Sequence, residues 1–108
     1  MPSDRPNKPH GRFTPATTIG RLLSAAGYGR AFIRKGIGYG GHLCSWDERR
    51  QQVWIRYRSH DDTPAEDLAA ERDEMLGRYT VLLASKGYEV ERDERVLHVR
   101  KPKEGDTP

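Results

Sequence analysis

Apolar and polar positions along this chain follow two rhythms, one of helical period and one of strict alternation. In TTIGRLLSAAG, Ile19, Leu22 and Leu23 form an i, i+3, i+4 stripe, with Thr17 or Thr18 placed to cap and Gly27 to stop a short helix. Gly20 weakens that helix by about 1 kcal/mol relative to alanine. A longer helix is predicted from Thr63 to about Lys86. Thr63-Pro-Ala-Glu66 combines a capping threonine, a proline at the first helical position and a glutamate able to close a capping box. Leu68, Met75, Leu76, Tyr79, Leu82 and Leu83 then recur at helical spacing, opposite Glu71, Asp73 and Glu74.

The second rhythm marks strands. HLCSW and QQVWIRYR, separated by the charged turn DERR, read as an antiparallel hairpin; Val53, Ile55 and Tyr57 alternate with Trp54, Arg56 and Arg58. One face is therefore apolar, the other basic with an aromatic. After Gly87, YEVERDERVLHVR reads as a second hairpin turning near Asp93-Glu94. YGRAFIRKG fits either a further helical turn or an extended piece that carries Phe32 and Ile33 to the core.

These elements predict one α+β domain over residues 17–100 in the order α-β-β-α-β-β. Its antiparallel sheet of two hairpins packs on the long helix, with a short helix at the N-terminal side. The proline-rich segment 1–16 reads as a disordered arm and residues 101–108 as a disordered tail. Leu22-Leu-Ser-Ala-Ala-Gly-Tyr28 resembles Leu82-Leu-Ala-Ser-Lys-Gly-Tyr88, and each precedes a candidate hairpin. Two α-β-β units or a chance likeness of helix ends both account for that echo.

Composition narrows the functional classes. At 108 residues the chain supports one modest core, and 34% hydrophobic against 32% charged residues places it on the polar side of globular proteins. No apolar run is long enough to span a membrane, and MPSDRPNKPHGRF lacks a secretory leader's apolar stretch, so a soluble cytoplasmic protein with no membrane partner is expected. The single cysteine, Cys44, permits no internal disulfide. The net charge of +3 conceals a split. Residues 1–60 hold eleven Lys/Arg against three Asp/Glu (+8), and residues 61–108 hold eight against thirteen (−5).

Gly36, Gly38 and Gly41 have G-x-G-x-x-G spacing, but a dinucleotide loop needs a strand before it, a helix after it and an acidic residue some twenty positions on. A probable strand follows instead, and Arg58 lies twenty residues beyond Gly38. Positive-φ turns explain the glycines better, and exposed amides beside Arg34, Lys35 and Tyr39 could also approach a phosphate. No nucleotide cofactor, and no other cofactor, is expected. AGYGRAFIR partly resembles the aromatic motif of RRM domains, yet Ala26 stands at the basic position, Arg30-Ala31 delay Phe32 and the β-α-β-β-α-β order is missing. His42, Cys44 and His98 could gather as metal ligands but lack a fourth; His60-Asp61-Asp62 reads as a solvated loop favoured by the following helix dipole. No Cys-His-acid set or strained serine elbow points to catalysis, so no enzymatic activity is expected.

What remains is a basic surface interleaved with an aromatic: Arg34, Lys35, Arg49, Arg50, Arg56 and Arg58, with Trp54 as a stacking platform. Guanidinium groups grip phosphate bidentately and an indole stacks on a base, which predicts a non-enzymatic module contacting nucleic-acid phosphates. The rival expectation is a protein-interaction module or homodimer that uses a strand edge or the charge split. Fourteen arginines against five lysines also fit a GC-rich coding sequence. LLSAAGYGRAFIRKG, the tryptophan-containing hairpin and MLGRYTVLLASKGYEVERDERVLHVR resemble a group of small actinobacterial proteins often encoded beside phage-like or integrative elements. That resemblance implies a DNA- or protein-binding accessory role and transfers no activity to any residue.

Overall fold

The computed structural model describes residues 15–101; residues 1–14 and 102–108, which hold most of the expected arm and tail, lie outside the described residues. Helix α1 spans Pro15–Ala25, followed by strands β1 (Phe32–Arg34), β2 (Ile37–Tyr39), β3 (Gly41–Asp47) and β4 (Gln52–Arg58). A 3-10 turn at Ala65–Asp67 leads into helix α2 (Leu68–Ser85), and strands β5 (Glu89–Asp93) and β6 (Val96–Arg100) follow. The fold is α+β, with one four-stranded antiparallel sheet in the order β3-β4-β6-β5 and a separate two-stranded hairpin, β1-β2.

Alternation in the strands fixes which face the helices cover. Val53 and Ile55 of β4 and Leu97 and Val99 of β6 are fully buried against Ile19 and Leu23 of α1 and Leu76, Tyr79 and Leu83 of α2. Each such side chain contributes about 1.5–3 kcal/mol through burial. Both helices pack on this inner face. Trp54, Arg56 and Arg58 point the other way, as the alternation predicts.

The echo between the two halves extends through the whole sheet. Tyr28 N–H donates to the Leu23 carbonyl at 2.9 Å and Gly27 N–H to the Ser24 carbonyl at 3.0 Å; Tyr88 and Gly87 repeat those bonds to Leu83 and Ala84 at 3.1 and 3.0 Å. Gly27 and Gly87 adopt the same left-handed conformation, φ 98° and 95°. In the centre, β4 pairs β6 with Val53 opposite Val99, Trp54 opposite His98 and Ile55 opposite Leu97. Exchanging β4 with β6 and β3 with β5 leaves the strand order and the Trp54–His98 pairing unchanged, with Val53-Trp54-Ile55-Arg56 corresponding to Leu97-His98-Val99-Arg100. The chain is thus two α-β-β halves joined along β4 and β6.

The first half carries an insertion that the second lacks. Where Tyr88 leads directly into β5, the chain after Tyr28 first builds the β1-β2 hairpin, so YGRAFIRKG is extended and not helical. Lys35 and Gly36 both take positive φ, 52° and 79°, as a two-residue primed turn requires. Phe32, Ile33 and Ile37 do not reach the core: they are 47%, 67% and 43% exposed. Phe32 stacks on Tyr39 at 4.7 Å within this wing.

Two expected helix starts are displaced. Helix α1 begins at Pro15, so Thr17 and Thr18 lie inside it. The Thr63 capping box does not form, because Pro64 is extended (φ −60°, ψ 145°) and Thr63 N–H closes a turn onto the His60 carbonyl at 2.9 Å. The helix enters through the 3-10 turn instead.

Two glycine substitutions separate crowding from helix propensity. A Cβ on Gly41 would lie 2.4 Å from the Gly29 carbonyl oxygen, whereas one on Gly77, inside α2, would meet nothing within 4 Å. Urea unfolding should show Gly41→Ala destabilised by about 1–3 kcal/mol, and Gly77→Ala stabilised by up to about 1 kcal/mol.

Candidate functional site

The register of the sheet sets a transverse row on its outer face: Ser45 of β3, Trp54 of β4, His98 of β6 and Glu91 of β5 stand side by side. Among the described residues no helix covers this row. Trp54 is half-buried and meets the His98 ring edge-on, with centroids 5.2 Å apart at 69°. Its Nε1–H is buried and has no acceptor. Arg56 follows two positions along β4, exposed and without a carboxylate partner among the described residues.

Arg58 lies next on the same face but is engaged. Its guanidinium meets Asp61 at 3.0 Å and lies against Gly38, where an added Cβ would displace the ends of the Arg58 and Asp61 side chains. Asp61 also accepts the Gly38 N–H at 2.7 Å, and Asp61 N–H donates to the Gly38 carbonyl at 2.9 Å. The Gly38 amide first, then Arg58, hold the Asp61 carboxyl below the usual carboxylate range. Asp61 is therefore the clasp between the wing and the β4–α2 loop, a role the solvated-loop reading of His60-Asp61-Asp62 did not contain.

The remaining basic residues are divided between two ends. Arg49 and Arg50 are exposed in the β3–β4 turn, and Arg50 N–H donates to Asp47 at 3.2 Å. Arg34 and Lys35 stand at the tip of the wing, beyond the opposite end of β4. The seven sequence-selected residues thus form a central pair, Trp54 and Arg56, one clasped arginine, and two outlying basic tips. The glycine spacing resolves into separate structural tasks: Gly36 makes the wing turn, Gly38 admits Arg58, and Gly41 passes the backbone of Gly29 and Arg30.

The acidic helix does not neutralise β4. It lies on the inner face, where Glu71 accepts a short hydrogen bond from Tyr57 Oη, Asp73 engages Arg92 and Arg72, and Glu74 pairs with Arg78 at 2.6 Å. Burial, then the Glu71 hydrogen bond, push the Tyr57 hydroxyl up to about 12.

Sequence reasoning missed two groupings. On the outer face Gln52 is 1% exposed; its Nε2 lies 2.9 Å from His98 Nδ1, and its Oε1 is buried without a partner. A glutamine in an otherwise apolar strand start was the available signal. On the inner side a cleft of about 810 Å³ opens between α1 and β3, lined by Thr17, Arg21, Ser24, Arg30, His42 and Cys44 among others. His42 is 1% exposed, with Nε2 3.4 Å from Ser24 Oγ and Nδ1 3.8 Å from Cys44 Sγ. Among the described residues no carboxylate orients this imidazole, and burial pushes the Cys44 thiol up to about 11, away from a nucleophilic thiolate. His42 and Cys44 share the inner face whereas His98 sits on the outer, so the three are not brought together.

No protein family, curated protein or solved structure matches the chain.

Burial lowers the His42 pKa below its ordinary 6.5, against a Tyr28 backbone hydrogen bond that raises it; nearby Arg30 lowers it further. Its contribution to stability is complete above 6.5 and is lost as pH falls through the lowered folded-state value. The melting temperature should fall by several degrees between pH 7 and pH 5, and His42→Gln should flatten that fall. A wild-type profile flat across this window would contradict the assignment.

Proposed function

We propose that this chain is a small non-enzymatic binding module that contacts nucleic-acid phosphates through the outer face of its sheet. The observation that carries this reading is the pairing of a half-exposed indole, Trp54, with an unengaged guanidinium, Arg56, on a sheet face left bare by both helices. Stacking of a base on an aromatic is worth about 1–3 kcal/mol and tolerates any sequence. Alternate residues along β4 stand about 7 Å apart, a stride suited to successive groups of an extended single strand. Arg50 at one end and Arg58 at the other extend the positive track, Arg58 contributing less because Asp61 already opposes it.

A reducing compartment such as the cytoplasm suits the lone cysteine. No described helix is long and apolar enough to cross a membrane. The resemblance to small proteins encoded near integrative elements is compatible with a DNA-associated accessory role.

The wing favours a second reading. Its exposed Phe32, Ile33 and Ile37, beside Arg34 and Lys35, form an apolar, positively tipped projection suited to a protein partner.

Fluorescence anisotropy with labelled single-stranded oligonucleotides separates the two. Binding at low salt should weaken linearly on a logarithmic salt scale, and Arg56→Ala should reduce that slope by about one unit. Arg58→Ala should change it less, and Ile33→Asp should leave it untouched. No binding at low ionic strength would end the nucleic-acid reading and leave the wing as the candidate surface.

A further inference from the structure

Resting on that reading, we propose that the depression beside Trp54 is a subsite for one unpaired nucleobase whose edge presents adjacent hydrogen-bond donors, guanine foremost. The depression, about 380 Å³, lies where β4, β6 and β5 meet on the outer face and is lined by Arg50, Gln52, Glu91, Asp93, His98 and Arg100, with Arg92, already held by Asp73, at its side. That volume falls within the range of small-ligand sites.

Gln52 gives the depression its chemical sense. His98 Nε2 faces Asp93 at 3.8 Å, which favours the ring proton on that nitrogen and leaves Nδ1 as an acceptor. The Gln52 amide therefore donates to Nδ1 through Nε2, so its oxygen is the atom without a partner. Buried acceptors are almost always satisfied, and one without a partner on a residue that lines a depression marks a place where a ligand donor would be gained rather than exchanged. The α1–β3 cleft offers nothing comparable, because its buried imidazole already has Ser24 and Cys44 as neighbours.

The surrounding groups select the ligand. Gln52 Oε1 and the carboxylates of Glu91 and Asp93 are acceptors, so they favour a base edge bearing donors and disfavour phosphate at the same spot. Guanine presents N1–H and the N2 amino group side by side; thymine presents one N–H between two carbonyl oxygens. Arg50 and Arg100 at the margin are placed to take the flanking phosphates, and Trp54 to stack on the neighbouring base. The His98 ring, edge-on to Trp54, joins stacking platform and base-reading edge in one row.

The test compares a labelled eight-nucleotide oligothymidylate with the same strand carrying one central guanine, by anisotropy at low salt. The single guanine should tighten binding about tenfold, within the discrimination of one well-paired base edge. Gln52→Leu should abolish that preference while retaining affinity for oligothymidylate. Should Gln52→Leu fail to fold, Glu91→Gln, at an exposed edge position, should reduce the preference in the same way. Equal binding of the two strands by the native protein, or a preference unchanged in these variants, would overturn the subsite and leave the phosphate-contacting surface standing. No binding of either strand would overturn both.

Discussion

The pairing of β4 with β6 is the constraint on which this molecule depends. Val53, Ile55, Leu97 and Val99 supply four of the nine fully buried core residues, and they come from segments more than forty positions apart. Their alternation commits the intervening residues, Trp54 and His98, to the opposite face. Core formation and exposure of the indole are therefore one decision. A shift of register by one residue would exchange the two faces and place Arg56 in the apolar layer.

The charge split acquires a spatial meaning from this arrangement. Six of the thirteen carboxylates of the second half lie on α2 or along β5, and those of α2 are engaged by Tyr57, Arg72, Arg78 and Arg92 on the helix side of the sheet. The α2 carboxylates thus stay with partners on the helix side and leave Arg56 of β4 unanswered. Asp61, ahead of α2, does engage β4, and its bond to Gly38 shows why: it holds the inserted wing to the body, with Arg58 recruited into that clasp.

Sequence rhythm made the elements legible because each reports locally. Both helices, both hairpins and the inward set Val53, Ile55 and Tyr57 follow from spacing alone. The wing did not, since YGRAFIRKG lacks period and its conformation is set by positive φ at Lys35 and Gly36. The strand order did not either, because nothing near β4 names β6 as its neighbour. Of the candidate site, Trp54 and Arg56 were legible through alternation; the engagement of Arg58 and the unpartnered oxygen of Gln52 arise from three-dimensional contacts that no periodicity encodes. The displaced start of α2 has a similar cause, an extended Pro64 that sequence preference would place inside the helix.

The rims of the sheet bear on how copies of the molecule meet. Strand β5 ends the sheet with Glu89, Glu91, Arg92 and Asp93 among its five residues, and the chain crosses the start of β3 through Ala31 and His42. Like-charged rims repel, and a crossing chain blocks access to unpaired amides. The charged rim at β5 and the crossing chain at the start of β3 therefore disfavour rim-to-rim pairing of copies at those two places.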